Sequence, residues 1–195
     1  MRAVVVLPTY NERDNIEPYL RSLRSVSADI DVVVVDDDSP DGTADLARSL
    51  ADELGGVTVL QRSAKDGLGS AYRAGFRQVL EANPAYEVVL SMDADLSHDP
   101  GVIPAMLALI EGGADAVIGS RYVRGGGTTD WPVRRQLLSK WGNAYTRAVL
   151  RLTPRDCTSG FRAYRAGALA DIDPGSTSAE GYAFLTELVR RLTRR

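Results

Sequence analysis

Two aspartates directly follow an apolar run in the segment "VVLSMDADLSHDP", residues 88–100. Asp93 and Asp95 are separated by the small Ala94, and His98 and Asp99 come shortly after them. Carboxylates crowded together repel one another and raise their own pKa values unless a cation is present. Their oxygens are the hard ligands that Mg²⁺ or Mn²⁺ binds, with water and a substrate diphosphate completing the shell. The spacing therefore indicates a divalent-metal site at Asp93 and Asp95.

Comparable polar clusters follow three other apolar runs. "PTYNE" (residues 8–12) comes after the first run, "DDDSPDGT" (36–43) after the second and "GSRY" (119–122) after the fifth. The runs themselves are rich in β-branched residues and bounded by turn residues, which predicts buried strands; they are "AVVVLP", "DVVVVD", "VTVLQR", "YEVVLSMD" and "DAVIGS". Because ligands of such sheets bind beyond the carboxyl ends of the strands, we expect the clusters to meet in one crevice.

Helical patterns with capping residues separate these strands. Asn11 precedes "ERDNIEPYLRSLRS", Asp41 precedes "TADLARSLADEL", and Pro100 opens "VIPAMLALIEGG". Strand and helix alternate at least four times, which predicts an α/β fold with a mainly parallel central sheet and helices on both faces. We expect residues 1–195 to form a single domain.

Residues 121–195 differ from the rest in charge and in pattern. Residues 1–120 contain 9 Lys/Arg and 20 Asp/Glu, whereas residues 121–195 contain 14 and 6. This asymmetry predicts an anionic partner for the second part, such as phosphate, nucleic acid or a membrane surface. A glycine-rich loop, "RYVRGGGTTDWP", is expected to order around a ligand and precedes a helix predicted from Pro132 to Leu152. An apolar stripe along that helix predicts core packing, with membrane contact as the alternative; it consists of Leu137, Leu138, Trp141, Tyr145, Ala148, Val149 and Leu152.

Composition excludes several other classes of protein. The chain is 44% hydrophobic and 25% charged, as soluble globular proteins are. Its apolar runs are too short to cross a bilayer and its amino terminus lacks a signal-peptide pattern, so we expect it to stay in the cytosol. The single cysteine, Cys157, has no partner for a disulfide or zinc site and is interpreted as structural. The lone histidine, His98, is interpreted as a hydrogen-bonded structural residue.

The motifs in their order resemble those of one family. They are "VVVLPTYNERDNI", "VVVVDDDSPDGT", "DGLGSAYRAGF", "VVLSMDADLSHDP", "AVIGSRYVRGGG", "WPVRRQLLSKWGN", "DCTSGFRAYR" and "GYAFLTEL". The sequence resembles the polyprenyl-phosphate mannosyltransferases, also called dolichol-phosphate mannose synthases, among the family 2 glycosyltransferases of GT-A fold. The match covers nearly the whole chain, and the order and spacing of the motifs make it specific.

The resemblance implies a donor side and a metal site. The nucleotide pocket would be formed by five residues of the first two motifs, with the tyrosine and the acids contacting base and ribose; they are Pro8, Tyr10, Glu12, Val35 and Asp37. Asp93 and Asp95 would bind the divalent cation, Mg²⁺ or Mn²⁺. The backbone of Ala94 would lie against the nucleotide.

The resemblance also implies which residues carry catalysis and which face the acceptor. Asp95, Arg121 and Arg135 would be catalytic. Arg121 would contact the diphosphate and the attacking phosphate, and Arg135 or its neighbour Arg134 would bind the acceptor phosphate, because a planar guanidinium matches phosphate oxygens in pairs. Lining the acceptor side would be Ser159, Gly160 and Arg162.

The implied reaction transfers mannose from GDP-mannose to a polyprenyl monophosphate, with inversion at the anomeric carbon. A phosphate monoester has a second pKa near ~6, so the acceptor is already largely dianionic at neutral pH and needs no strong base. The lipid acceptor implies peripheral contact with the cytoplasmic face of a membrane and makes nucleic acid an unexpected partner. Some relatives also work with a membrane-anchoring subunit.

The resemblance further divides the chain into two parts. Residues 1–120 would bind the nucleotide sugar and the metal, and the basic residues 121–195 would bind the acceptor. Beyond the "GYAFLTEL" helix, relatives carry a strand and a loop with Arg, Ser and Lys that closes over the acceptor phosphate, whereas this sequence ends at "VRRLTRR". We expect one of three explanations: the sequence is a truncated form, activity is reduced, or the terminal arginines partly substitute for the loop; these are Arg190, Arg191, Arg194 and Arg195.

Two other interpretations remain, and the motif order argues against a third. A related transferase could use a UDP-sugar, and a nucleotide-binding core without turnover would fit the missing loop. The acid clusters are also typical of a phosphoacceptor receiver domain. Such a domain would place its acidic pair after the first strand and a lysine after the last, where this chain has "PTYNE" and "GSR".

Overall fold

Six strands form one sheet in the part of the chain described by the structure, a computed structural model. That part comprises residues 1–82, 85–123, 126–127 and 132–195, without the side chain of Arg135. The strands are β1 (Ala3–Thr9), β2 (Ile30–Asp36), β3 (Val57–Gln61), β4 (Val88–Ser91), β5 (Ala116–Ile118) and β6 (Arg162–Arg165).

The order of the strands across the sheet is β3-β2-β1-β4-β6-β5. The pairs β1–β2, β2–β3 and β1–β4 are parallel, whereas β6 runs antiparallel to both of its neighbours. The mainly parallel sheet predicted from the sequence is therefore confirmed. The segments that follow β1, β2, β4 and β5 emerge at the same edge, as expected from the polar clusters.

Seven helices are present among the described residues; the first five connect consecutive strands and the last two follow β6. They are α1 (Arg13–Val26), α2 (Thr43–Leu54), α3 (Leu68–Leu80), α4 (Ile103–Glu111), α5 (Val133–Leu150), α6 (Ala166–Asp171) and α7 (Gly181–Arg194). Short 3₁₀ turns precede α4 (Pro100–Val102) and α7 (Pro174–Ser176). The helix α2 coincides with the predicted segment "TADLARSLADEL". The helices α1 and α5 each begin one residue later than predicted, and Pro100 opens a 3₁₀ turn rather than α4 itself.

Alternating side chains of the central strands build a core on each face of the sheet. Val5 and Leu7 of β1 pack in one cluster with α1, α2 and α4, and Val4 and Val6 pack in the other with α3 and α7. This alternation follows from the two-residue period of a strand, and both faces are apolar because helices cover both. The prediction of helices on both faces is confirmed.

The prediction for the apolar stripe of α5 is wrong. Five of its large side chains, Leu137, Leu138, Trp141, Tyr145 and Val149, are 59–69% exposed. Only its last member, beyond the helix end, is buried. The inward side of α5 is instead polar: buried Asn143 donates to Ser139 O (3.1 Å) and accepts from Cys157 N (2.8 Å).

The strand β6 is absent from the sequence prediction. It has four residues and pairs with β4 on one side and β5 on the other. Because three of the four residues are buried, the segment lacks the alternation of buried and exposed residues that would predict a strand. Half of the glycine-rich loop predicted over residues 121–132 lies outside the described residues.

Candidate active site

The two "PTYNE" and "DDDSPDGT" clusters meet where β1 and β2 end. Pro8 is paired with buried Val35 in the sheet register. Beyond them, Thr9 Oγ1 donates to Asp36 Oδ2 (2.9 Å), and the same carboxylate accepts from the backbone and hydroxyl of Ser39 (2.9 and 2.6 Å). The fully buried Asp36 therefore ties the two loops together rather than facing a ligand.

Tyr10 and Asp37 both contact the segment that follows β3. The Lys65 ammonium lies 3.7 Å from the centre of the Tyr10 ring. Asp37 accepts a hydrogen bond from Arg62 Nη1 at 2.7 Å. Burial raises the pKa of the Asp37 carboxyl, against the opposing charge of Arg62.

Glu12 lies at the amino-terminal end of α1. Its carboxylate accepts from Asn15 Nδ2 (2.8 Å), and its backbone N–H donates to Thr43 Oγ1 (3.0 Å) at the start of α2. These contacts fix the loop after β1 against the loop after β2. The five predicted nucleotide residues therefore share one edge of the sheet, and their roles toward a nucleotide stay a prediction.

The carboxylate of Asp93 is held at the end of β4 by groups from two other elements. Tyr72 of α3 donates to Asp93 Oδ1 (3.1 Å), and His98 Nε2 lies 3.7 Å from Oδ2. Gly160 also lies against this carboxylate: a Cβ there would be 2.7 Å from Oδ2, so no larger residue fits beside it. Burial raises the pKa of Asp93, and the nearby charge of Asp95 adds to the rise.

His98 is a hydrogen-bonded structural residue, as interpreted from the sequence. Its Nδ1 accepts from the backbone N–H of Asp93 (3.1 Å), which leaves the proton of the neutral ring on Nε2. The ring stacks on Phe161 with the centres 5.2 Å apart. Burial lowers the pKa of His98 and so favours this neutral form.

Asp93 and Asp95 offer a donor set that fits a divalent cation. No group of three or more His, Cys, Asp or Glu side chains that could hold a metal is present among the described residues. The pair therefore supplies carboxylate oxygens from two residues, with Asp95 exposed and Asp93 partly buried. A cation that keeps several waters and binds substrate phosphates matches such a partial set. Its charge would oppose the burial and the neighbouring charge of Asp95 that raise the pKa of Asp93.

Arg121 is fixed by a fully buried carboxylate, Asp156. Arg121 Nε and Nη2 donate to the two oxygens of Asp156 (2.8 and 2.7 Å), and the backbone N–H of Arg121 donates to the same residue (3.1 Å). The Arg121 Nη2 also donates to Thr158 Oγ1 (2.7 Å). Burial disfavours ionised Asp156, but hydrogen bonds and charge from Arg121 outweigh it and hold the pKa of Asp156 below its ordinary value.

The expectation that Arg162 lines the acceptor side is wrong. Its side chain is fully buried and donates to three backbone carbonyls: Ser159 O, Cys157 O and Leu185 O, each at 2.7 Å. These bonds join the loop before β6 to α7. Cys157, in the same loop, is buried and not in a disulfide, consistent with its structural interpretation.

A cavity of about 650 Å³ brings several of the predicted residues together. Of the predicted catalytic and metal residues, Asp93, Asp95 and Arg121 line it, as do Ser159 and Gly160 from the predicted acceptor side. The predicted nucleotide residues Pro8, Tyr10, Glu12, Val35, Asp37 and Ala94 do not line it. The side chain of Arg135 lies outside the described residues, and Arg134 is exposed at the start of α5.

Asp156 and Tyr182 are among the residues of the site that escaped the sequence reasoning. Asp156 begins the "DCTSGFRAYR" motif, and its position in that motif was the available signal. Tyr182, which lines the cavity, stands in "GYAFLTEL". Neither residue type predicts its contacts, because both depend on elements that are distant in the chain.

The family model described as "Glycosyl transferase family 2" matches residues 4–173. The chain belongs to glycosyl transferase family 2. The undecaprenyl-phosphate mannosyltransferase of Micrococcus luteus is 45% identical over 194 residues, which cover 100% of this chain and 79% of that protein. The polyprenol monophosphomannose synthase of Mycolicibacterium smegmatis is 43% identical, covering 97% of this chain and 71% of that protein. The dolichol-phosphate mannosyltransferase of Pyrococcus furiosus is 36% identical, covering 97% and 52%.

Solved structures share the fold of this family 2 glycosyltransferase. A mannosyltransferase from Pyrobaculum calidifontis, solved with GDP-Man and Mn²⁺, superposes with a TM-score of 0.66 at 22% identity, over 96% of this chain and 51% of that one. S. aureus TarS, solved with UDP-GlcNAc, gives 0.64 at 24% identity, over 97% and 53%. The GT-A fold predicted from the sequence is thereby confirmed, and the chain spans about half the length of these solved chains.

None of the helices in the described part of this glycosyltransferase combines the length and the apolar character required to cross a membrane.

Proposed function

We propose that this glycosyltransferase moves mannose from GDP-mannose to a polyprenyl monophosphate, with inversion at the anomeric carbon. Three relatives that are 36–45% identical carry names for mannose transfer to undecaprenyl phosphate, polyprenol phosphate or dolichol phosphate. The solved neighbours include proteins bound to GDP-Man and to UDP-GlcNAc, so the fold by itself does not select the donor. The names of the relatives favour GDP-mannose.

The observation that carries the proposal is the composition of the cavity. Two carboxylates, Asp93 and Asp95, share it with the guanidinium of Arg121. A nucleotide diphosphate suits such a site for two reasons. Its phosphates complete the coordination shell of a cation bound to the carboxylates, and they accept hydrogen bonds from an arginine. The predicted base and ribose contacts, Tyr10 and Asp37, lie at the same edge of the sheet.

The residues of this chain would align and stabilise rather than remove a proton. His98 is unsuited as a base, because its Nδ1 is engaged by the N–H of Asp93 and its Nε2 bears the proton. No catalytic base is needed, since the acceptor phosphate is largely dianionic at neutral pH, with a second pKa near ~6. Arg121, held rigidly by Asp156, would stabilise the negative charge of the phosphates as the bond to the leaving nucleotide breaks. A divalent cation, when bound by Asp93 and Asp95, would neutralise the diphosphate.

Peripheral contact with the membrane is the second part of the proposal, and the outer face of α5 supports it. Trp141 and Tyr145 stack there with ring centres 5.6 Å apart, next to the exposed Leu137, Leu138 and Val149. An amphipathic helix with aromatic and aliphatic residues on one face lies in the interface of a bilayer, and nearby cations add attraction to anionic lipids. A docked α5 would bring the enzyme to its lipid acceptor.

Vesicle binding tests the membrane part. Replacing both Leu138 and Trp141 with Glu should abolish co-sedimentation with vesicles of phosphatidylglycerol and phosphatidylcholine, with an unchanged melting temperature because both residues are exposed. A control with Ser49→Glu and Gln78→Glu adds the same charge on α2 and α3 and should bind like the wild type. Equal binding by both variants would contradict docking through α5.

Transfer of radiolabelled mannose from GDP-mannose into an organic-soluble polyprenyl phosphate tests the reaction. We expect metal-dependent label in the lipid phase, lost in Asp95→Ala and kept in Asp45→Ala, whose exposed carboxylate lies on α2. GDP binding without label would show a nucleotide-binding core without turnover. Label from a UDP-sugar but not from GDP-mannose would show a different donor.

Several finer points stay predictions. They are the role of Arg135, the division of the chain at residue 120, the effect of the closing loop, the cytoplasmic face of the membrane and a membrane-anchoring subunit.

A further inference from the structure

Tyr72 of α3 is a fully buried side chain whose hydroxyl reaches the end of β4. Its Oη lies 3.1 Å from Asp93 Oδ1 and 3.2 Å from the carbonyl oxygen of Met92. A phenol carries one proton, so the hydroxyl donates fully to only one of these acceptors at a time. The carboxylate is the stronger acceptor because it is charged. The hydroxyl of Tyr72 therefore serves Asp93 first.

The ring of Tyr72 is held in place by other aromatic rings. It stacks on Phe184 of α7 with ring centres 6.0 Å apart and an interplanar angle of 6°, and on Phe76 of α3 with centres 5.5 Å apart. All three rings are fully buried. Because a close-packed core leaves such rings little room to move, the hydroxyl is kept at one position beside Asp93.

Asp93 differs from Asp156 in the charge of the group that holds it. Asp156 accepts from the guanidinium of Arg121 at 2.7 Å, and this cation balances its charge. Tyr72 is neutral. A neutral donor fixes the orientation of a carboxylate and leaves its negative charge available for a metal ion.

The two oxygens of the Asp93 carboxylate have different surroundings. Oδ1 accepts from Tyr72, whereas Oδ2 lies 3.7 Å from His98 Nε2, which is beyond hydrogen-bond distance. With Oδ1 engaged, the carboxylate offers Oδ2 to a cation. Binding through one oxygen suits the near-octahedral shell of Mg²⁺, whereas the larger Ca²⁺ also binds both oxygens of one carboxylate.

We propose that Tyr72 is a positioning residue for the divalent cation, which orients Asp93 to bind through Oδ2 alone and so favours Mg²⁺ over Ca²⁺. This inference rests on the proposed function for the placement of the cation at Asp93 and Asp95. Loss of a hydrogen-bond partner of a metal ligand typically weakens metal binding by about 10–100-fold. We expect a loss in that range when the hydroxyl is removed.

Replacing Tyr72 with Phe removes the hydroxyl and keeps the stacked ring. Calorimetric titrations with GDP, in chelator and at rising Mg²⁺ concentrations, give the Mg²⁺ concentration at which the affinity for GDP has gained half of its increase. We expect Tyr72→Phe to bind GDP in chelator as the wild type does and to need at least about tenfold more Mg²⁺. With Ca²⁺ in place of Mg²⁺ the shift should be smaller, because the released Oδ1 can join Oδ2 on the larger ion.

Tyr164→Phe is the matched control. Tyr164 of β6 belongs to the same buried cluster and meets Phe76 edge-on with ring centres 6.0 Å apart. Its hydroxyl accepts from Arg162 Nη1 at 3.4 Å. Removing this hydroxyl should change neither the affinity for GDP nor the Mg²⁺ requirement.

A fluorine label gives a second measurement on a protein that keeps both hydroxyls. With 3-fluorotyrosine placed at position 72, the fluorine NMR signal should shift when Mg²⁺ is added to the GDP complex, because the cation withdraws charge from the acceptor of the hydroxyl. The same label at position 164 should keep its signal. An unchanged signal at position 72 would contradict the role of Tyr72.

Other results would overturn the role of Tyr72 alone. They are an unchanged Mg²⁺ requirement in Tyr72→Phe, an equal shift for Mg²⁺ and Ca²⁺, weaker GDP binding in chelator, and a shift of the same size in Tyr164→Phe. If Mg²⁺ did not raise the affinity of the wild type for GDP, or still raised it in Asp95→Ala, the metal site would be wrong and the role of Tyr72 with it. Absence of mannose transfer in a wild type that shows the expected Mg²⁺ dependence would count against the proposed function alone.

Discussion

Replacing Asp156 with Asn tests whether this buried carboxylate holds the cavity together. The Asp156 side chain is inaccessible to solvent and accepts from the backbone N–H groups of Thr158 (3.3 Å) and Ser159 (3.2 Å) as well as from Arg121. Asn has the same shape but one oxygen fewer, and its amide N–H groups would face the N–H groups of Arg121. The substitution therefore leaves Arg121 without its negative partner and weakens the loop before β6.

The size of the effect follows from the burial of the pair. Removing one partner of a buried ion pair costs about 3–5 kcal/mol. Because the Arg121 side chain keeps 21% of its exposure and can be partly hydrated, we expect the lower end, about 3 kcal/mol. For a domain of this size that corresponds to a melting temperature lower by roughly 6–12 °C. Misplacement of Arg121 should also reduce mannose transfer by on the order of 100-fold.

The pH dependence gives the refuting test. The pKa of Asp156 is lower in the folded protein than in the unfolded chain, so the stability it contributes is present above the unfolded value, about 3.9, and is lost as the pH falls below it. Urea titrations should therefore show a constant difference between wild type and variant from pH 7 to pH 5 that shrinks below about pH 4. Asp45→Asn, at an exposed surface pair, should change little. A variant as stable as this control, or a difference that persists in acid, would refute the reasoning.

Three further substitutions probe other contacts of the fold and site. Gly75→Ala should destabilise the protein by about 1–3 kcal/mol in urea titrations, because its Cβ would lie 2.4 Å from a valine methyl of β1; Gly167→Ala, with open space around its Cβ, is the control and should not. Gly160→Ala would push the Asp93 carboxylate from its position, so calorimetry in the presence of GDP should show weaker Mn²⁺ binding; unchanged affinity would contradict the placement of the metal. Arg162→Met should cost at least about 3 kcal/mol of unfolding free energy by leaving three buried carbonyls without their donor, and a melting curve like that of the wild type would contradict this.

Local sequence patterns were sufficient to predict a feature wherever it depends on residues that are close in the chain or that recur with the period of a strand or helix. The strands β1, β2 and β4 could be predicted from continuous β-branched runs, and the acids at Asp93 and Asp95 from their place after such a run. The same reasoning failed for α5, because a helical stripe shows that one face is apolar without showing which way that face points. The expectation for Arg162 came from the family resemblance, and no local pattern shows that its actual partners are backbone carbonyls of two separate segments.

The amino-acid sequence by itself determined the α/β class, the parallel sheet and the edge at which the polar clusters gather, because strand period and topology leave few arrangements for them. Only the tertiary structure decided which of those clusters share a cavity. It placed Arg121 on Asp156, buried Arg162 and turned the apolar face of α5 outward. Each of these depends on contacts between segments far apart in the chain, and the free energy of such contacts is set by burial and geometry that no local pattern contains.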